Sequence, residues 1–321
     1  MEEIRLDKLD FRLLSELDRD CRQSIQQLAR KLKTSRDIVS YRIRRLEQLK
    51  VIEGYYTLID ASRLGYILCR LYLKFRATTA ETEWQLIEYL VAEKATFLVY
   101  KAQVAWDIAA GFIVKSAAEF DKKWRELQES FQPYINAYNV STIYELVLYN
   151  RKYLVEEKYR DYAEYNTGNS APIMLAEKEL QLLRLIAPNA RASLLELAKK
   201  LNVTAATAKA MIKRLEAGKV ILAYKARIDF NKLGYKYYKI DLYLEYGNKR
   251  SAIQEFARRH PNVVYENRTI GGSAVEFDLE VRNEQELYDF VGAIKRQFPG
   301  VIRSFHYYHG IRSYKNSYMP E

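Results

Sequence analysis

The 321-residue chain has only two cysteines, three histidines, six prolines and twelve glycines, and each scarcity closes off a class of protein. Cys21 and Cys69 cannot build a disulfide framework and fit a reducing compartment. So few glycines and prolines argue against a collagen-like or low-complexity chain and against many tight hairpins. His306 and His309 stand three apart on one expected strand, so their side chains point to opposite faces and no metal site is expected. Neither a Cys/His zinc spacing nor a Gly-rich loop ending in Lys-Ser/Thr occurs, and no cofactor is expected. No apolar run approaches the roughly 18 residues that span a bilayer. The segment 1–10 is too charged for a signal peptide, which places the chain in the cytoplasm without a membrane partner.

What is present is an ordinary globular balance, 49% hydrophobic and 29% charged, with an excess of basic residues. Lys and Arg number 52 against 41 Asp and Glu, for a net charge of +11 and an isoelectric point near 9.3. Such a surplus points to an anionic partner, with double-stranded DNA first among the candidates.

A shift of 169 residues superposes Leu6–Tyr66 on Leu175–Tyr235 without a gap. Arg45-Leu46-Glu47 meets Arg214-Leu215-Glu216, Lys50-Val51-Ile52 meets Lys219-Val220-Ile221, and Leu64-Gly65-Tyr66 meets Leu233-Gly234-Tyr235. A period this long is a duplicated pair of domains, not a solenoid. The expected order is 1–60, 65–150, a linker at 151–173, then 174–230 and 235–315. The stretch 150–173 begins with alternating charge at helical spacing and ends in turn formers, and reads as a short helix followed by a tether. Charge follows the repeat. Residues 65–150 carry 9 basic and 10 acidic side chains, whereas 30–50 carry 8 and 2, and 199–227 carry 8 and 1.

In the first short unit, Leu9, Leu13, Leu14 and Leu17 and then Ile25, Leu28, Ala29 and Leu32 follow helical spacing. A third helix starts at Thr34-Ser35, where a hydroxyl can cap it, and turns Val39, Ile43 and Leu46 inward. Arg36, Asp37, Ser40, Tyr41 and Arg44 then share an outward face. Three helices with a short turn before a cationic third one describe a helix-turn-helix, followed by a short strand or wing at 52–59. The third helix would enter the major groove, with Arg36 and Arg44 for guanine edges or phosphate. Ser40 permits close approach, Tyr41 offers a hydroxyl, and Ser35, Arg42 and Arg45 meet phosphates or run along the core edge. The second copy starts its third helix at Thr204 and presents Ala205, Ala206, Lys209, Ala210 and Lys213, with Arg214 beside them. So many alanines leave a face that can hold phosphates and has few groups to read bases. The first copy is therefore expected to carry the specificity.

Each longer unit reads β-α-β-β-α-β, the ferredoxin-like order, with Pro133 and Pro299 after its second helix. The fold class is thus α+β, two winged helix-turn-helix domains alternating with two ferredoxin-like domains. The two ferredoxin-like units are expected to pair as a pseudo-dimer within the chain, with further homo-oligomers above it.

These residues bring the chain to a known family. The run Val39-Ser40-Tyr41-Arg42-Ile43-Arg44-Arg45-Leu46-Glu47 followed by Val51-Ile52, with Leu64-Gly65-Tyr66, Ala105-Trp106-Asp107-Ile108, Ile270-Gly271-Gly272 and Phe298-Pro299-Gly300-Val301-Ile302, resembles the Lrp/AsnC transcription regulators over nearly the whole chain, twice. The tandem form is similar to archaeal members. The resemblance implies sequence-specific DNA binding without catalysis. It also implies an amino-acid effector near the turn after the second strand of the ferredoxin-like unit. Here that turn reads Gly271-Gly272 in the second copy and Ala102-Gln103 in the first, with Asp107 close by. Lys50 replaces the family's usual Gly at the end of the third helix, and Gly218 precedes Lys219 in the second copy, which sets the two helix ends apart. One enzyme reading comes with the fold: sirohaem decarboxylases resemble paired units of this kind, and His306, His309 and Arg312 are the residues such a site would recruit.

Overall fold

The structure, a computed structural model, describes residues 5–155, 164–317 and 319. The helix expected early in 151–173 falls largely on 156–163, outside the described residues. The chain divides into two compact units. Unit 1 comprises Met1–Ile59, Tyr149–Tyr165 and Leu175–Tyr235, and unit 2 comprises Asp60–Leu148, Asn166–Met174 and Lys236–Glu321.

Unit 1 holds both helix trios. The first is α1 (Lys8–Arg19), α2 (Ile25–Leu32) and α3 (Arg36–Gln48), followed by β1 (Ile52–Ile59). Each helix starts where a side chain takes its free N–H groups: Asp7 and Asp10 form a capping box on α1, Ser24 and Gln27 one on α2, and Ser35 caps α3. Leu13, Leu14, Leu17, Leu28, Val39 and Leu46 are fully buried between the three helices. Truncating one of them to Ala should cost about 2–5 kcal/mol.

The second trio follows residues 60–148 of unit 2 and the short strand β6 (Glu164–Thr167). It comprises α6 (Glu177–Ile186), α7 (Leu194–Leu201) and α8 (Ala205–Ala217), followed by β7 (Ile221–Ile228). The expected wing takes an unforeseen form here. β1 does not fold back as a hairpin but pairs antiparallel with β7, so the two copies share a two-stranded ribbon.

Helices α3 and α8 end at equivalent positions, against the expectation from Gly218. Lys50 and Lys219 both take the left-handed conformation (φ 56° and 53°), while Gly218 sits at φ −77°. The glycine is therefore spent where any residue fits, and each lysine carries a strain of roughly 1 kcal/mol.

Unit 2 contains β2 (Ile67–Phe75), α4 (Ala80–Ala92), β3 (Thr96–Val104), β4 (Ile108–Val114), α5 (Ala117–Phe131) and β5 (Ile135–Tyr149). It then repeats the order as β8 (Lys236–Leu244), α9 (Arg250–Arg258), β9 (Val263–Ile270), β10 (Val275–Val281), α10 (Glu284–Gln297) and β11 (Ile302–Asn316). Within each copy the strands lie β5-β2-β4-β3 and β11-β8-β10-β9. Long β5 pairs with β2 along Ile135–Ile143 and with β9 along Thr142–Leu148. Long β11 likewise pairs with β8 along Ile302–Gly310 and with β3 along Tyr308–Asn316. The eight strands thus close on themselves, with β6 added at β5. No strand was foreseen at 164–167, because Asn166 lies in a cluster of turn formers.

One sheet face of the first copy packs Leu71, Leu73, Val99, Ile108, Ala110 and Phe112 on α4 and α5. In the second copy, β8 carries the fully buried Lys239, which meets the carboxylates of Asp241 and Glu276, the latter at 2.8 Å. Closure without exposed edges protects the backbone hydrogen bonds of every strand in the ring.

Candidate nucleic-acid interface

Helix α3 presents the face its spacing predicts. Val39, Ile43 and Leu46 are buried, while Arg36, Asp37, Tyr41 and Arg44 are exposed and Ser40 half-buried. Tyr41 is 66% exposed, high for an aromatic side chain with no partner to cover it. Arg36 and Arg44 make no hydrogen bond or ion pair among the described residues, so their guanidinium groups are free to meet an anion. Asp37, Ser40, Tyr41, Arg44, Arg45 and Gln48 line one shallow depression.

Arg42 and Arg45 behave differently from the rest of the expected set. Arg42 reaches Asp7 at 2.7 Å and Asp10 at 2.8 Å, and Arg45 reaches Asp10 at 3.1 Å and the Arg5 carbonyl at 2.8 Å. Asp10 is 1% exposed, and a buried carboxylate left without a cation is strongly destabilising, so these two arginines tie α3 to α1. The second copy repeats the device, since Arg214 holds the buried Glu179 of α6. Ser35 and Thr204 also have structural duties, their hydroxyls accepting from the Ile38 and Thr207 N–H groups.

On α8 the outward face is as bare as its sequence. Ala206 and Ala210 are exposed, and Lys209 and Lys213 project without a partner among the described residues. The two helices therefore differ in chemistry, the first offering arginines, a phenol and a hydroxyl, the second ammonium groups over alanine.

A reciprocal clamp fixes the copies to each other within unit 1. The Arg22 guanidinium lies over the ring of Tyr224 at 5.1 Å and donates to the Ala190 carbonyl at 2.7 Å. The Tyr224 hydroxyl donates to Glu216 at 2.7 Å. One repeat later, Arg191 lies over Tyr55 at 5.0 Å, and the Tyr55 hydroxyl donates to Glu47 at 2.7 Å. Burial, reinforced by these glutamates, raises the titration of both phenols well above the ordinary range. Each triad joins the end of one third helix to the other copy. Sequence reasoning missed it, although Arg22/Arg191, Glu47/Glu216 and Tyr55/Tyr224 all obey the 169-residue period.

The residues expected to receive an effector make contacts within the chain. Strand pairing sets Tyr100 opposite Ala109 as it sets Asn267 opposite Glu276, so the repeat mate of Gly271 is Val104 and not Ala102 or Gln103. The backbone agrees, with φ 82° at Val104 and 86° at Gly271. Glu276 accepts from the Thr269 hydroxyl at 2.5 Å and the Ser273 N–H at 3.3 Å, and a Cβ on Gly272 would fall 2.1 Å from its Oε1. Asp107 accepts from the Phe75 N–H at 2.7 Å and from Lys74 at 3.0 Å. Ala102 is buried, and Gln103 meets Nδ1 of His309 at 2.8 Å.

His306 and His309 part as expected: His309 stacks on Tyr238 at 4.8 Å and His306 lies 5.2 Å from Tyr243. Arg312 covers Tyr314. No hydrogen bond, ion pair or ring contact links any two of His306, His309 and Arg312. Among the described residues no group of three metal-binding side chains occurs, and no helix is long and apolar enough to cross a membrane.

The profile of the AsnC-type helix-turn-helix domain matches residues 6–47, and that of a winged helix-turn-helix DNA-binding domain matches 175–221. The leucine-responsive regulatory protein of Rhizobium meliloti is 34% identical over 110 residues, 30% of this chain and 69% of that protein. The chain belongs to the Lrp/AsnC family. A second relative, the transcriptional regulator LrpC of Bacillus subtilis, is 37% identical over 62 residues, 19% of this chain, which spans 43% of that protein's length. Over its full length, this Lrp/AsnC chain is similar in fold to the siroheme decarboxylase NirDL, with a TM-score of 0.64 at 12% identity, covering 98% of this chain and 94% of that one. The likeness at this identity is one of fold.

Proposed function

We propose that the chain is a sequence-specific DNA-binding transcription regulator acting in the cytoplasm. Two winged helix-turn-helix domains (1–60 and 174–230) alternate with two ferredoxin-like domains (65–150 and 235–315), with 151–173 connecting the halves. The exposed face of α3 carries this reading: Arg36, Ser40, Tyr41 and Arg44 stand together with both guanidinium groups unpaired. Arginine donates a bidentate pair to guanine, and a short hydroxyl allows close approach, so α3 reads bases in the major groove. α8, with Lys209 and Lys213 among alanines, grips phosphates. The clamp built on Arg22 and Arg191 holds the two helices in one register, as a two-fold dimer does with two half-sites.

Arg36→Ala and Arg44→Ala should each weaken binding to a genomic target by about 1–3 kcal/mol and relax the preference at one base position. Raising salt from 50 to 200 mM should lower affinity on the order of a thousandfold if six or more phosphates are contacted. A flat salt response in a gel shift sinks the reading.

An amino-acid effector and a higher oligomer are family properties that this reading extends to the chain. A second reading, a tetrapyrrole decarboxylase, draws on the full-length fold likeness to NirDL. Against it stand the separation of His306, His309 and Arg312 and the unpaired cations of α3, which such an enzyme does not need. A shift in tetrapyrrole absorbance on mixing with the protein, without any gel shift on DNA, would favour the enzyme.

A further inference from the structure

We infer that the groove beside α9 in unit 2 is a binding site for a small oxyanion, a phosphate or carboxylate borne by a small molecule. Tyr144, Arg250, Ser251, Gln254, Glu255, Arg258 and Arg268 line an open depression of about 370 Å³, at the small end of ligand sites. Three guanidinium groups face one carboxylate on its walls. Arg258 pairs with Glu255 at 3.4 Å, and Arg268 is taken by Glu145 at 2.6 Å and Glu266 at 2.7 Å. Arg250 is half-exposed at the first position of α9, and its guanidinium has no hydrogen-bond or ion-pair partner among the described residues.

The decisive residue is Gln254. It is 7% exposed, lines the groove one helical turn after Arg250, and makes no hydrogen bond among the described residues. Its stem is packed away and its amide end opens on the groove, where the N–H groups are placed to donate to a bound acceptor. With the Arg250 guanidinium and the Ser251 hydroxyl, it forms a donor set suited to two or three oxygens around one centre.

The corresponding face of the first copy differs in its side-chain contacts. There Lys101, the repeat mate of Arg268, is tied to Glu83 at 2.7 Å. The Trp84 ring stands edge-on to Tyr314 at 5.8 Å, and Lys315 donates to the Val91 and Glu93 carbonyls at the end of α4. Aromatic packing and internal ion pairing engage the corresponding side chains of the first copy, while in the second the Arg250 guanidinium stays unpaired among the described residues. The turn at Gly271 holds the Glu276 carboxylate, whereas the α9 groove offers the unpaired Arg250 guanidinium to an outside carboxylate or phosphate.

The test uses the full chain titrated with inorganic phosphate, and separately with acetate, at constant ionic strength set with KCl. Calorimetry and the thermal midpoint are the readouts. Saturable binding of one or both anions is expected, weakened at least tenfold by Arg250→Glu and more mildly by Ser251→Ala. Both substitutions are on the solvent-facing side and leave the fold intact. Arg36→Ala and Arg44→Ala should leave anion binding unchanged, which separates this site from the DNA reading. A midpoint that climbs without saturation, equally in wild type and Arg250→Glu, is general exclusion of the anion from the protein surface and overturns the site. So does anion binding that survives Arg250→Glu. Loss of DNA affinity in Arg250→Glu with unchanged anion binding would make the groove a DNA-backbone contact instead and overturn the small-ligand assignment.

Discussion

Tyr56 of β1 stands directly opposite Lys225 of β7, and the two are repeat mates, so one position of the duplicated sequence meets itself at the centre of the ribbon. The pseudo-twofold is broken there in charge. Lys225 is 2% exposed and sends its ammonium to the buried Asp18 carboxylate at 3.4 Å and to Asn150 at 3.0 Å, and Arg151 joins Asp18 at 2.8 Å.

That network should give unit 1 an acid-sensitive component. Burial pushes the Asp18 carboxyl up, but Lys225 and Arg151 outweigh it and hold it below 3.8. Its contribution is therefore complete above the unfolded value and is lost as pH falls through the lower folded one. Asp18→Asn should cost about 3 kcal/mol at pH 7, because two cations stay buried without their anion. The gap to wild type should narrow below about pH 4, where an unfolded aspartate protonates. Urea midpoints at pH 7 and pH 3 check this, and equal losses at both would remove Asp18 from the account.

Neighbouring arginines on α3 should separate cleanly. Arg44→Ala should weaken DNA binding without shifting the unfolding midpoint, since the side chain is free. Arg45→Ala and Arg42→Ala should each lower stability by about 1–3 kcal/mol by exposing Asp10 to partial isolation. Gel shift and denaturation run on the same preparations decide it; a destabilised Arg44→Ala would contradict the assignment.

The clamp predicts coupling between sites 169 residues apart. Arg22→Ala and Arg191→Ala each remove a cation–π contact, worth about 0.5–2 kcal/mol when partly buried. The double variant should lose affinity for a two-half-site DNA more than for a single half-site, because the fixed register is gone. Equal losses on both DNAs would place the effect in general stability.

Val104 is a β-branched residue at φ 82°, a conformation that suits glycine. Val104→Gly should raise stability by on the order of 1 kcal/mol, as its mate Gly271 already allows, and a thermal midpoint reads the gain. Destabilisation instead would mean that its half-exposed side chain packs against something essential.

Much of this was legible along the chain, for identifiable reasons. The helix trios announce themselves through hydroxyl caps at Ser24, Ser35 and Thr204 and through apolar spacing, which are local signals. The exposed face of α3 follows from the same spacing. Contacts between distant segments left no such trace. Nothing near Arg45 reveals that Asp10 will hold it, although the joint recurrence of Arg214 and Glu179 is a signal in hindsight. The seams β5–β9 and β3–β11 depend on β5 and β11, 15 residues each, being long enough to change partner halfway, and no local signal marks where they do so. The Val104–Gly271 equivalence was hidden because the repeat slips by two residues between β8 and β10.

Those seams set how the molecule answers dilution. Where two separate chains share a sheet, lowering concentration pulls them apart; here both sides of each seam belong to one polypeptide, and their local concentration is fixed by the covalent path between them. The ring of strands should therefore melt at the same temperature across a wide range of protein concentration. One such chain brings both third helices to a DNA site without the concentration-dependent pairing step that a regulator assembled from free halves must complete first.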